Sequence, residues 1–302
     1  MTGLNWLMGL LLAGLLASAW PHRAMASERP SLPDPQQANA APWRSDYAET
    51  LAAAEAEQKL ALLWFVDERW SDGDTAFERV VLREPGIAAR LSARFVAAKL
   101  LLATNSREGN ETSKLLDHAA FAEMQGQPGF AILDMTDKTS PLHRRVVSIL
   151  PFRGAYPAPD KLAVLLDLPQ GTLTQRTLIY AIRTHRERPA STAGEWSPLL
   201  AHETASHSTY QARIALQGHH QWESRFHAIN AKLPGGLLAQ EVCAESWPGQ
   251  SLLDAAIECV DSWRQSPGHW EAVRTRPEFF GYDMQRGRNG VWYATGIFAR
   301  RQ

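Results

Sequence analysis

Cysteine is scarce in this chain: 302 residues contain only Cys243 and Cys259. That excludes a disulfide-stapled scaffold, which needs several paired cysteines. The two lie 16 positions apart. In an oxidising compartment they could form one staple, and as small buried hydrophobes they would need no partner; spacing leaves both readings open. Excess charge is equally lacking, with 31 Lys and Arg against 32 Asp and Glu, a formal net charge of −1 and no basic block. Without a positive field, nucleic acid and anionic membrane surfaces drop out as partners. No Gly-x-Ser-x-Gly, Walker or Rossmann pattern occurs, so nucleophile-elbow hydrolysis and nucleotide chemistry lose their usual sequence basis. No internal repeat argues for a solenoid. What remains is 45% hydrophobic and 21% charged, the composition of an ordinary globular protein, with length enough for two cores.

Long apolar runs are missing except at the start. Leu4 to Trp20 is apolar, Pro21-His22-Arg23 interrupts it, and Ala24-Met25-Ala26 follows as a small-x-small cleavage site. Residues 1–26 are therefore expected to be a cleaved signal peptide, leaving an extracytoplasmic chain, periplasmic or secreted, with no membrane span after cleavage. Met1 to Trp6 carries no Lys or Arg, so an uncleaved anchor is the alternative. Residues 27–42, rich in Pro, Gln and Ala, read as a tether.

Structure is expected from Trp43. Helical spacing over Asp46 to Lys59 runs into the strand-length apolar segment Leu60 to Val66; Asp74 to Leu91 is again helical, and Phe95 to Leu102 is a second buried strand. Leu115 to Gln125 reads as a helix. Strands follow at Phe130 to Asp134 and His143 to Ile149, then a closing helix at Pro159 to Leu166. This alternation predicts a layered α/β domain over 43–168. A helix over Thr174 to Arg186 and a linker at Arg188 to Gly194 make 169–196 a connector. Residues 197–302 then form a second domain with helices at Leu199 to Gln221 and Leu252 to Gln265. It closes with two strands around Arg286-Gly-Arg-Asn-Gly290, whose Asn-Gly pair is a hairpin signal.

The first domain carries an Ala-rich helix ending in Glu57-Gln58-Lys59, an apolar strand, Trp70, and an acidic helix leading to a Phe-Val strand. Further on, Gly126-Gln-Pro128-Gly129 precedes an apolar strand ending in Asp134. Order and spacing resemble the secreted and periplasmic thioredoxin-like proteins over 43–166. In that family the Trp is followed by Cys-x-x-Cys, whose first thiol is activated by a helix N-terminus. Here Ser71 and Asp74 occupy the two cysteine positions, and a hydroxyl with a carboxylate cannot cycle as a dithiol. The resemblance implies a cis-proline at Pro128, with Gly129 in place of the usual Thr. It leaves the domain as a binding or packing module in which Asp72 and Asp74 start a helix, where carboxylates are favoured.

The second domain contains Asp261-Ser-Trp-Arg-Gln-Ser-Pro-Gly-His269, followed by Phe280-Gly281 and the aromatic strand Gly290 to Phe298. Upstream lie a helix ending in Gly218-His219-His220 and the acidic segment Glu241-Val-Cys-Ala-Glu245-Ser-Trp247. These parts resemble the CAP superfamily of cysteine-rich secretory and pathogenesis-related proteins, in its bacterial, SCP-like form. The resemblance implies an α-β-α sandwich with a cleft formed by His220, Glu245 and His269, and with His219 and Glu241 as reserves. Two imidazoles and a carboxylate suit a divalent cation such as zinc, or a small polar ligand. Ser266 stands where some eukaryotic members add a second acid, which leaves no acid/base pair for hydrolysis. His202, His207 and His227 read as surface or core residues. The expectation is thus an exported, non-redox binding protein for a protein or small-molecule ligand. The alternatives are a metal-assisted, protease-like hydrolase and a chaperone-like holder of exported proteins.

Overall fold

Asp46 caps the first helix by accepting the Glu49 N–H at 2.8 Å, a favourable use of a short acidic side chain. Helix α1, Tyr47–Ala56, then turns through Gln58 at φ 51 into strand β1, Leu60–Val66. Every β1 residue is buried, as a strand covered on both faces requires. The computed structural model describes residues 43–108 and 111–301; the signal peptide and tether expected over 1–42 lie outside the described residues.

The helix expected over 74–91 is instead broken. Helix α2, Ser71–Phe77, passes into a π-helical turn at Glu78–Leu82, and helix α3, Pro85–Arg94, starts afresh. Pro85 is the cause, since it forces Glu84 out of helical backbone, to ψ 130. Strand β2, Phe95–Leu101, runs parallel to β1. A small hairpin not foreseen from sequence, β3 (Asn105–Glu108) and β4 (Glu111–Lys114), comes next. The helix expected over 115–125 resolves into two short 3-10 turns, Leu115–Asp117 and Ala119–Met124.

Strand β5, Gly129–Leu133, adds antiparallel to β1, and β6, Val146–Pro151, adds antiparallel to β5, giving the order β2-β1-β5-β6. Gly129 is required by close approach, because a Cβ there would lie 2.3 Å from the Leu150 carbonyl oxygen. A Thr at this position would not fit. Pro128 is buried at the start of β5, and its carbonyl accepts the Phe152 N–H at 2.7 Å.

Helix α4, Pro159–Leu166, closes this layer, and helix α5, Leu173–Thr184, follows from a capping box in which Thr172 and Gln175 satisfy each other's backbone. From Gln175 to Ile182 every α5 residue is buried. The segment expected as a connector, 169–196, thus contains a largely buried helix. Ser191 and Thr192 are buried, and the Ala190 and Ser191 N–H groups donate to the Arg274 and Val273 carbonyls. One apolar cluster runs from Trp64, Phe77 and Phe130 through Leu178 and Ile182 to Trp263, Tyr282 and Phe298.

The second sheet has the order β7-β9-β10-β8, built from β7 (Glu195–Trp196), β8 (Leu237–Glu245), β9 (Phe279–Arg286) and β10 (Trp292–Arg301). The β9–β10 hairpin turns where the Asn-Gly pair placed it, with Gly290 at φ 78 and the Gly287 N–H on the Val291 carbonyl. Helix α6, Pro198–Ile214, capped by Ser197, covers one face; α5 and helix α8, Leu252–Gln265, cover the other. Gly281 lets α6 lie close, since a Cβ would fall 2.3 Å from the Leu200 carbonyl carbon. The architecture is α/β with mixed parallel and antiparallel sheets. Helices α7 (Trp222–Asn230) and α9 (Pro267–Arg274) flank β8, which is the sheet's edge.

Candidate functional site

Along β8 the side chains alternate. Val242 and Ala244 join the large apolar cluster, while Ala239 packs with Leu200 of α6 on the opposite face. Period two places Glu241 and Cys243 on that second face. The helix expected to run to Gln221 ends early, at Ile214. Ala215 and Gln221 both take left-handed backbone at φ 54, and between them the chain folds back as a loop. The loop is tied to α6 twice: Gln211 Oε1 accepts the Gly218 N–H at 3.0 Å, and His207 Nε2 donates to the Gly218 carbonyl at 2.9 Å.

This loop delivers His219 to the β8 edge. Its Nδ1 donates to Glu241 Oε1 at 3.0 Å, and its Nε2 lies 3.2 Å from Nε2 of His269, in the first turn of α9. Arg225 of α7 pairs with the other Glu241 oxygen at 2.6 Å, and His207 approaches Oε1 at 3.8 Å. Cys243 Sγ is 3.8 Å from His219 Nδ1.

Burial by itself would raise the Glu241 carboxyl. The hydrogen bond from His219 and the close Arg225 guanidinium, with the charge of His207, overcome it and hold Glu241 below its ordinary range. Glu241 is therefore an acceptor at neutral pH, so His219 donates to it from Nδ1 and turns Nε2 toward Nε2 of His269, within hydrogen-bond distance. Burial, reinforced by His219, lowers His269. Burial also lowers His207, against the pull of Glu241. Burial and the Glu241 charge raise the Cys243 thiol well above its usual value, so it is no thiolate nucleophile.

Two donor sets can be compared. His207, Glu241 and Cys243 place ligand atoms within 4.8 Å of one another, yet His207 spends its Nε2 proton on Gly218, Arg225 already neutralises Glu241, and the thiol is protonated. His219 and His269 fit a cation better. Two nitrogens on one tetrahedral zinc, each at about 2.0–2.1 Å, sit about 3.4 Å apart, close to the 3.2 Å found. Glu241 behind His219 is the carboxylate that orients and strengthens a ligating imidazole.

Of the residues expected from sequence, the structure brings together His269 and both reserves, His219 and Glu241. His220 stands outside: its Nε2 donates to the Leu216 carbonyl at 3.2 Å, and its ring packs near Tyr210. Glu245 is exposed at the end of β8, about 13 Å along the strand from Glu241 at 3.3 Å per residue. His207, Arg225 and Cys243 were not foreseen as part of this cluster; only the β8 alternation could have placed Cys243 beside Glu241. Cys243 and Cys259 are free thiols. They lie on opposite faces of the second sheet, which is why the staple does not form.

At the degenerate redox positions Ser71 is exposed and Asp74 is buried. No side chain caps α2; Asp74 instead faces inward and accepts the Tyr156 hydroxyl at 2.8 Å, with Lys99 at 4.0 Å. Burial raises the Asp74 carboxyl, outweighing the help of Tyr156 and Lys99. Tyr156 stacks on Phe77 and meets Trp70 edge-on. A Cβ on Gly73 would lie 2.9 Å from its hydroxyl, so Tyr156 packs directly over the first turn of α2.

No family model matches the chain, and no curated protein matches it. Among solved structures, an outer surface protein from Borrelia burgdorferi is similar over 36% of this chain and 78% of its own, at 18% identity and a TM-score of 0.29. A thioredoxin from Thermus thermophilus is similar over 37% of this chain and 75% of its own, at 23% identity and a TM-score of 0.25. Both likenesses are faint. Among the described residues no helix is long and apolar enough to cross a membrane.

Proposed function

We propose that this chain is an exported, non-redox binding protein whose His219–Glu241–His269 cleft holds a divalent cation such as zinc, or a small polar ligand. In this reading the second sheet and its helices form a CAP-like unit. The first sheet is a thioredoxin-like unit kept as an interaction module. The observation that carries it is the 3.2 Å approach of the two Nε2 atoms with Glu241 bonded behind His219. Binding is favoured over hydrolysis because the one carboxylate in the cleft is held by both Arg225 and His219, leaving no free general base.

Zinc titration of the mature chain tests this. One equivalent is expected to bind, with His219→Ala and His269→Ala each abolishing stoichiometric binding. Glu241→Gln should weaken it about 10–100-fold, while His220→Ala and Glu245→Gln leave it unchanged. Binding that survives His269→Ala removes the cation from this cleft. Turnover of peptides or esters by the zinc-loaded chain, lost with the same variants, would replace the binding reading by the hydrolase one.

A further inference from the structure

Arg176, on α5, is 2% exposed. Its Nε donates to Ser148 Oγ at 2.7 Å, and Nη1 donates to the Leu168 and Pro169 carbonyls at 3.1 and 2.6 Å. Nη2 has no partner among the described residues. Burial, with help from Arg94, lowers this guanidinium to about 9, and Asp134 is the acid that opposes them. A buried cation this poorly compensated is destabilising, and a buried donor left unmade adds to that.

Beside Arg176 lies a cavity of about 360 Å³, walled by Lys59, Arg94, Asp134, Thr136, Gly171 and Arg176. Lys59 and Arg94 immediately precede β1 and β2. The cavity is therefore at the end of the first sheet where these strands begin, and the Trp70 loop is at the end where β1 finishes. It is distinct from both the Ser71–Asp74 turn under Tyr156 and the histidine cleft. Three cations face one acid here. Lys59 is paired with Glu57 at 2.9 Å and donates to the Ser92 carbonyl at 3.1 Å; Arg94 meets Asp167 at 3.4 Å and donates from Nη1 to the Leu166 carbonyl at 2.6 Å. The ion pairs are partly exposed, of the kind that hold weakly. Asp134 commits Oδ1 to the Thr136 N–H and hydroxyl.

We propose that this cavity binds a small oxyanion, the carboxylate or phosphate group of a metabolite-sized molecule, with Arg176 as the buried anchor and Lys59 and Arg94 at the rim. A planar guanidinium with a spare N–H suits either oxyanion, and the volume is at the small end of ligand sites. Asp134 on the same wall disfavours a second anionic group close to the first.

The test is the melting temperature of the whole mature chain against inorganic phosphate and against acetate, with sodium chloride matching ionic strength. A saturable rise with either probe is expected. Phosphate alone points to a tetrahedral ligand head and acetate alone to a carboxylate. Arg176→Lys should weaken the response about tenfold or more through loss of the planar fork. Because that position is buried, the rim variant Lys59→Gln/Arg94→Gln serves as the second arm and should weaken it similarly with an unchanged circular dichroism spectrum. No saturable shift with either probe, or a shift fully retained by the rim variant, overturns the proposal.

Discussion

Replacing Asp283 with Asn should stabilise the protein at neutral pH and make little difference in acid. Asp283 is on β9, 1% exposed, and its carboxylate accepts the Thr174 hydroxyl of α5 at 2.6 Å and the Gln285 amide at 2.9 Å. Burial outweighs these bonds and pushes the carboxyl from 3.8 up to about 6. The folded protein thus holds a proton that the unfolded chain has released. Stability from this group is fully present below about pH 3.8 and is lost as pH rises through about 6. At 1.36 kcal/mol per pH unit, the charged form costs about 3 kcal/mol above pH 7 and about half of that near pH 5. Asn keeps the Thr174 bond, Gln285 can turn its carbonyl toward the new amide, and the cost disappears. Urea unfolding of both proteins across this range gives the difference curve, in which acid-labile pairs common to both cancel. A variant-minus-parent difference that is flat from pH 4 to pH 7.5, or negative at neutral pH, refutes the reasoning.

Other outcomes follow from other groups. Tyr156→Phe removes the donor to a buried carboxylate and should cost about 1–3 kcal/mol in urea unfolding; an unchanged midpoint would mean that Asp74 has another partner. Both thiols should resist an aqueous thiol reagent in the native protein and react, two per chain, in denaturant, because Cys243 and Cys259 are buried and their thiols raised by burial. Fast native labelling of either contradicts its placement. Zinc loading should raise the melting temperature by about 2.7 kcal/mol worth of stability at a hundredfold excess over Kd, and a chelator should reverse it; no shift at that excess counts against the cleft as the cation site.

What was legible in the sequence followed physical simplicity. Leu60 to Val66 is buried on both faces and therefore reads as one apolar run; α8 and the Asn289-Gly290 hairpin announce themselves by period and turn chemistry. Strand β8 did not, because a buried Glu241 sits where an apolar residue would complete the alternation, and that same residue orients His219. The end of α6 was hidden because Ala215, with no local signal, takes the left-handed backbone usually signalled by Gly. That one turn decides which of two adjacent histidines reaches the cleft. The neighbours that meet His269 in the structure, His219 and through it Glu241, come from a loop and a strand far away in the chain, so their approach depends on long-range packing. Arg225, contributed by a separate helix, left no trace in the β8 segment.

Helix α5 has no solvent side over Gln175 to Ile182, and this makes the two sheets inseparable as working material. A fragment ending at residue 168 would lose that wall and bare the apolar surface of the first sheet that α5 covers. Such a piece would adhere to unfolded chains through its wound rather than through any evolved grip. A holdase activity found with the fragment alone would be an artefact of the cut, so that question has to be put to the uncut chain.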